Sequence, residues 1–265
     1  GSREEKLERY REQNIEALKR VHGATMPVVW MMGGTPAEQE LTRRTIGILF
    51  GDAIEVSTEA LPKNTHGLRA DLDHPEYPAR KRFDERVKRW QPAADTIKRV
   101  SANRHVAVLI CATDRVGKKP EDAVNYYAGI HAMSLIGANV HHVLPIENPD
   151  DPKSKQSFLH RVQSALLDVM LAHTGAVFGV REFVSRLLPV EHIPEAIYGV
   201  QAVRSRAQSR SGQTGVNFVL FSRIVVESGM TEVRIGYRDA SKNKITGWMP
   251  LSQGLSWMGS QRRLQ

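Results

Sequence analysis

The chain has 265 residues, 41% hydrophobic and 25% charged, which suits one or two globular domains with a sizeable core. No apolar run approaches the roughly 18 residues of a membrane span, no secretory leader pattern opens the chain, and a lone cysteine, Cys111, excludes an internal disulfide. The net charge of +8 points to a polyanionic partner, most often nucleic acid, with a merely solvated basic surface as the alternative.

These totals lead to the expectation of a cytoplasmic protein without membrane contact. Gly1-Ser2 reads as a vector remnant, so the chain is expected to be a portion of something longer.

From the start, Glu4 to Val21 has loosely helical apolar spacing and predicts a helix or connector. Met26 to Met32 predicts a short strand broken by Gly33-Gly34. Thr35-Pro36-Ala37-Glu38 is a strong helix start, combining a cap, a proline at the first helical position and a capping-box glutamate. That helix should end at Gly51 and lead to a strand over Ala53 to Ala60. The Gly33-Gly34 turn has neither G-x-G-x-x-G spacing nor a G-K-[ST] ending, so phosphate binding there is the minority reading.

From Leu61 to Val100 the pattern weakens, and residues 61–100 are expected to form a basic insertion. Within it Arg82, Arg86 and Arg89 share a helix face, either solvated or in contact with a phosphate backbone. His66 and His74 lack zinc-like spacing, and no metal site is expected there.

The central stretch is the most informative. Val106 to Cys111 is a buried-strand pattern, a polar loop holds Lys118 and Lys119, and a helix pattern from Pro120 stops near Gly137. A strand over Val140 to Ile146 and a helix over Ser154 to His173 follow. Strand, helix, strand, helix with short connections predicts a parallel sheet with crossover helices, whose ligands bind at the carboxyl ends of the strands. After a connector over 176–195 the period changes to two. Strands are predicted over Ala196 to Val203, Gly215 to Glu227, Thr231 to Arg238 and Ile245 to Met249, an antiparallel meander with a basic loop at Ser205 to Thr214.

Nucleophilic catalysis has little support: there is no G-x-S-x-G elbow, and Cys111 has no neighbouring base. His141 and His142 alternate faces on a strand, so together they make a poor metal site. A binding site fits better. Tyr127 and His131, spaced i, i+4, share a helix face. With His141, the loop cations Lys118 and Lys119, and the cations Lys153, Lys155 and Arg161 around the next helix start, they combine a ring for a base with charges for phosphate. Two rival readings remain at this point: a small α/β enzyme handling a nucleotide or sugar phosphate, and a scaffold docking a helicase through the basic helix.

The stretches Gly117-Lys-Lys-Pro120, Tyr127-Ala-Gly-Ile-His131 and Gly137-Ala-Asn-Val-His141 resemble the MID domain of Argonaute and PIWI proteins, most closely the prokaryotic PIWI-RE group. In the resemblance Tyr127 stands at a tyrosine, His131 at a lysine and His141 at a glutamine. Two further lysines of the next helix are replaced by Asp168 and Ala172.

The resemblance covers roughly Met26 to Met249. It implies a connector over 1–25, a Rossmann-like MID domain over 26–175, and a partial RNase H-like PIWI domain over 196–265. It further implies a pocket for the 5′ end of a guide, with Lys153, Lys155 or Arg161 in place of the missing cations. Guide RNA or DNA and target nucleic acid are the implied partners, together with a helicase or nuclease, within a prokaryotic defence system. A divalent cation at the 5′ end is the one cofactor entertained. Catalytic PIWI domains carry an Asp on their first strand and Tyr198 to Val203 has none, so the chain is expected to bind without cutting.

Overall fold

The computed structural model describes residues 2–23, 25–62, 79–101, 104–111, 120–204, 217–239 and 242–260, and divides into two units at Met170 and Leu171. The first unit contains α1 (Arg3–His22), β1 (Val28–Gly33), α2 (Pro36–Phe50), β2 (Glu55–Glu59), α3 (Ala79–Val100), β3 (Val106–Cys111), α4 (Pro120–Ser134), β4 (Asn139–Val143) and α5 (Pro152–Met170). Its four strands pair in parallel in the order β2-β1-β3-β4. The central strands VVWMMG and VAVLIC are buried along nearly their whole length, as expected when helices cover both faces of a parallel sheet.

Alternation along the strands sorts the core into two layers. Val28, Trp30, Met32, Val106, Val108 and Ile110 point toward α3 and α4, where they meet Trp90, Ala94, Ile97, Ala128, Ala132 and Met133. The segment expected to be a basic insertion therefore supplies, over its second half, a crossover helix that completes this core. Phe83 and Trp90 are readable from the sequence as anchors of this helix, and the run continues at Val87, Ala94 and Ile97: Phe83 and Val87 pack against the cluster, and Trp90, Ala94 and Ile97 lie within it. Pro92 inside the helix and the dense charge around it masked that period.

Capping follows the sequence closely. Thr35 and Glu38 form the expected capping box of α2, and Gly51 ends that helix. Gly33 has φ +74, and a Cβ there would lie 2.4 Å from the Cys111 carbonyl oxygen and 2.7 Å from Leu61, so only glycine lets β1 turn this close to β3. On α1, Asn14 donates to the Leu49 carbonyl across a buried 3.1 Å contact, joining that helix to α2.

At the amino edge of the sheet His22 and His105 stack with ring centroids 4.3 Å apart. Each also hydrogen bonds a carbonyl at the end of α5, that of Met170 for His22 and that of Val169 for His105. Burial first, and then the neighbouring His22, press the His105 pKa down to about 3; burial lowers that of His22 as well.

The second unit contains α6 (Val180–Ser185), β5 (Ala196–Arg204), β6 (Asn217–Val225), β7 (Thr231–Asp239), β8 (Lys242–Ile245), the short β9 (Met249–Pro250) and α7 (Leu251–Ser260). These strands are antiparallel in the order β5-β6-β7-β8, with β9 also pairing with β7. The chain is thus α/β: a Rossmann-like parallel sheet followed by a β-meander.

The fourth strand differs from the expectation of Ile245 to Met249. It begins at Lys242 and stops at Ile245, because the Thr246 hydroxyl takes the Ile235 N–H that a continuing strand would have used differently. The chain then rejoins β7 only at Met249. The basic loop Ser205 to Thr214 lies outside the described residues, as do His66 and His74.

Candidate functional site

The topology marks one edge. From β1 the chain crosses α2 to β2 on one side, and from β3 it crosses α4 to β4 on the other. The adjacent carboxyl ends of β1 and β3 are therefore the switch point where open α/β sheets hold ligands. That edge comprises Gly33-Gly34, Cys111, the loop from Leu144 to Asp151, and the starts of α2, α4 and α5. An open groove of about 660 Å³ extends from it between β1 and β2, lined by Gly33, Gly34, Gln39, Thr58, Glu59 and Leu61.

Two of the three helix starts at this edge already hold a carboxylate. Glu38, only 4% exposed, accepts from the Thr35 N–H at 2.7 Å and the Thr35 hydroxyl at 3.0 Å with one oxygen, and from the Ile146 N–H at 2.6 Å with the other. It thereby ties the turn after β1 to the loop after β4. Asp151 does the same for α5, accepting from Ser154 N at 3.0 Å and Lys153 N at 3.2 Å. A phosphate at either start would meet an acidic side chain beside the N–H groups that it already engages. The side chains at the start of α4 lie outside those described, as do Lys118 and Lys119 in the loop before it.

Arg161 is committed to architecture. Its guanidinium donates to the Ser157 hydroxyl at 2.8 Å and to the carbonyls of Leu144 at 3.3 Å and Pro145 at 3.2 Å, bracing the loop after β4. Lys153 and Lys155 stand exposed on the first turn of α5. Burial, and next the Glu38 charge, push the Cys111 thiol up to about 12, which keeps it protonated at neutral pH.

Tyr127 lies on α4, 58% exposed, about 10 Å along the axis from the helix start. His131, one turn further, is half-buried with its ring 5.4 Å from that of Phe83 on α3. His141 is elsewhere. Val140 packs into the α3–α4 core, so alternation turns His141 to the opposite face, where its Nδ1 lies 3.8 Å from the Asp168 carboxylate on α5. The sheet therefore separates His141 from Tyr127 and His131. His142, its neighbour on the strand, shares the α4 face; burial, and then His141, lower its pKa to about 4 and keep it neutral. Asp168, at a position where the resemblance has a lysine, here faces a histidine. Ala172 falls beyond α5, in the turn Ala172–Thr174.

The basic face expected on α3 is not a continuous surface. Arg86 is 3% exposed and points inward, Arg89 is half-buried, and Lys88 pairs with Glu85 at 2.7 Å. The Arg82 side chain lies outside those described. Sequence reasoning missed Glu38 as the organiser of the edge. Its capping role was readable, but its second partner, Ile146, is 108 residues away. Among the described residues no three His, Cys, Asp or Glu side chains gather as a metal set, and no helix is long and apolar enough to cross a membrane.

No curated protein sequence matches the chain. The sequence model of one family, described as the MID domain of pPIWI_RE, matches residues 29–182, more than half of the chain and all of the parallel sheet apart from the first residue of β1. The chain belongs to that MID domain family of pPIWI_RE.

Proposed function

We propose that this chain binds guide or target nucleic acid, holding a 5′ end against α4, as the non-cutting part of a PIWI-type defence system. The observation that carries this reading is the placement of Tyr127, 58% exposed, on the helix α4 that leaves the carboxyl edge of the sheet, with Lys118 and Lys119 shortly before that helix in the sequence. A ring accessible to a terminal base and nearby cations for its phosphate are the two halves of such a site. Support also comes from family membership and from the net charge of +8. Lys153 and Lys155 add cations along the same edge. His141, turned to the α5 face beside Asp168, is assigned a bracing role and not ligand contact.

The deciding measurement is oligonucleotide binding at two salt concentrations with 5′-phosphate, 5′-hydroxyl and blocked ends, for the parent and for Tyr127→Ala. The parent should discriminate among the ends at moderate salt, and Tyr127→Ala should lose that discrimination by about fivefold or more. Binding that falls with salt equally for all ends would leave only a basic surface. Tight mononucleotide binding with no gain for oligomers would favour the small-molecule enzyme instead.

A further inference from the structure

The meander has two chemically unlike faces. On one, Val233 and Ile235 are fully buried: α7 packs there, with Gly254 against Val233 and Trp257 4.9 Å from Tyr237. The pairing register assigns Ile197, Leu220, Ser222 and Ile224 to this same face, so no charged residue of β5 or β6 enters it.

The opposite face is open and basic. Tyr198, Arg223 and Glu232 stand in one row across β5, β6 and β7, and Val200, Phe221 and Arg234 in the next. Alternation adds Arg238, which is exposed, at the margin. Tyr198 is 65% and Val200 70% exposed. Trp248, arriving between β8 and β9, lies under two guanidinium groups, Arg223 at 4.7 Å and Arg234 at 5.9 Å, and Tyr198 meets it edge-on at 6.2 Å. Arg223 is held in place by Glu232 at 2.5 Å.

Three arginines, Arg223, Arg234 and Arg238, against the one glutamate Glu232, beside the exposed ring of Tyr198, is not the composition of a surface that a helix covers. Burying it would strand several guanidinium groups away from water. The same composition complements a flexible polyanion: phosphates meet Arg234 and Arg238, while a base stacks on Tyr198 beside the arginine-flanked indole, since every base offers a π-face. We propose that this face of the second unit is a platform for single-stranded nucleic acid, read through backbone charge and base stacking and not through its end. The platform extends the nucleic-acid reading to a second surface, yet it is argued from the meander's residues alone.

The test uses the full chain and a 5′-blocked single strand of about ten nucleotides, within the usual footprint of such platforms, beside a duplex of the same sequence. Tyr198→Ala should weaken single-strand binding at least about fivefold and leave the duplex little changed. The exposed side chain makes a folding defect improbable on physical grounds, and the near-ultraviolet circular dichroism checks it. Arg234→Ala with Arg238→Ala should flatten the dependence of log affinity on log salt by roughly 0.7 per cation removed. Parent-like binding of the blocked strand by both variants overturns the platform and assigns the face to a protein partner. That failure is separate from failure of the α4 site, which shows as indifference to the 5′ group whatever Tyr198 does.

Discussion

The two sheets obey opposite rules. In the parallel sheet helices cover both faces, so β1 and β3 read as unbroken apolar runs and function is pushed to the strand ends. In the meander one face is covered and the other open, so function can occupy the face itself. A buried position in the first sheet is therefore about packing, and an exposed ring in the second about contact with something else.

Substitutions can break this comparison. The largest contrast is between Trp90→Ala and Tyr198→Ala. Trp90, 2% exposed and tight against Gly129, should cost about 3–5 kcal/mol, and Tyr198 no more than about 0.5 kcal/mol, as read from urea unfolding midpoints. Similar losses would erase the distinction.

Next is Glu38→Ala, which strands the Ile146 and Thr35 N–H groups. A loss of about 2–4 kcal/mol is expected, and a near-neutral result would show that water replaces the carboxylate freely.

Acid gives a third contrast, confined to the first unit. His105 has a folded pKa of about 3 against 6.5 for a free imidazole, and that of His22 is lowered too. Below pH 6.5 the unfolded chain takes up protons that the folded pair refuses, so stability falls as pH drops from about 6.5 toward 3. His105 alone should remove about 2 kcal/mol by pH 5, and a pH-independent unfolding midpoint across that window would contradict the buried stack.

The smallest effects compare one change at two sites. Val108→Thr, fully buried on β3, should cost about 1–3 kcal/mol, while Val200→Thr on the open face should stay within about 0.5 kcal/mol.

Much of the first unit was legible in the sequence because its signals are local. The capping box at Thr35 and Glu38, the apolar run of β3 and the glycine at 51 each act within a few residues. α3 was half legible: its charges and the anchors Phe83 and Trp90 were visible, but Pro92 and the small residues Ala93 and Ala94 hid the continuation of the apolar seam to Ile97. The site was harder. Periodicity located Tyr127 and His131 on one helix, yet whether His141 joins them depends on strand register, and one residue decides which face it takes. Arg161 and Arg86 look alike in sequence to free cations. Only the fold reveals that one braces carbonyls and the other points inward.

The bridge from Glu38 to Ile146 has a consequence in time as well as in space. It joins segments 108 residues apart within the chain itself, so the turn after β1 and the loop after β4 are tied together when the protein folds and not when it binds. A partner arriving there loses little of its binding energy to stilling those loops. The Ile146 amide should accordingly exchange its hydrogen slowly in the unliganded protein, on the schedule of the β-sheet core and not of an exposed loop.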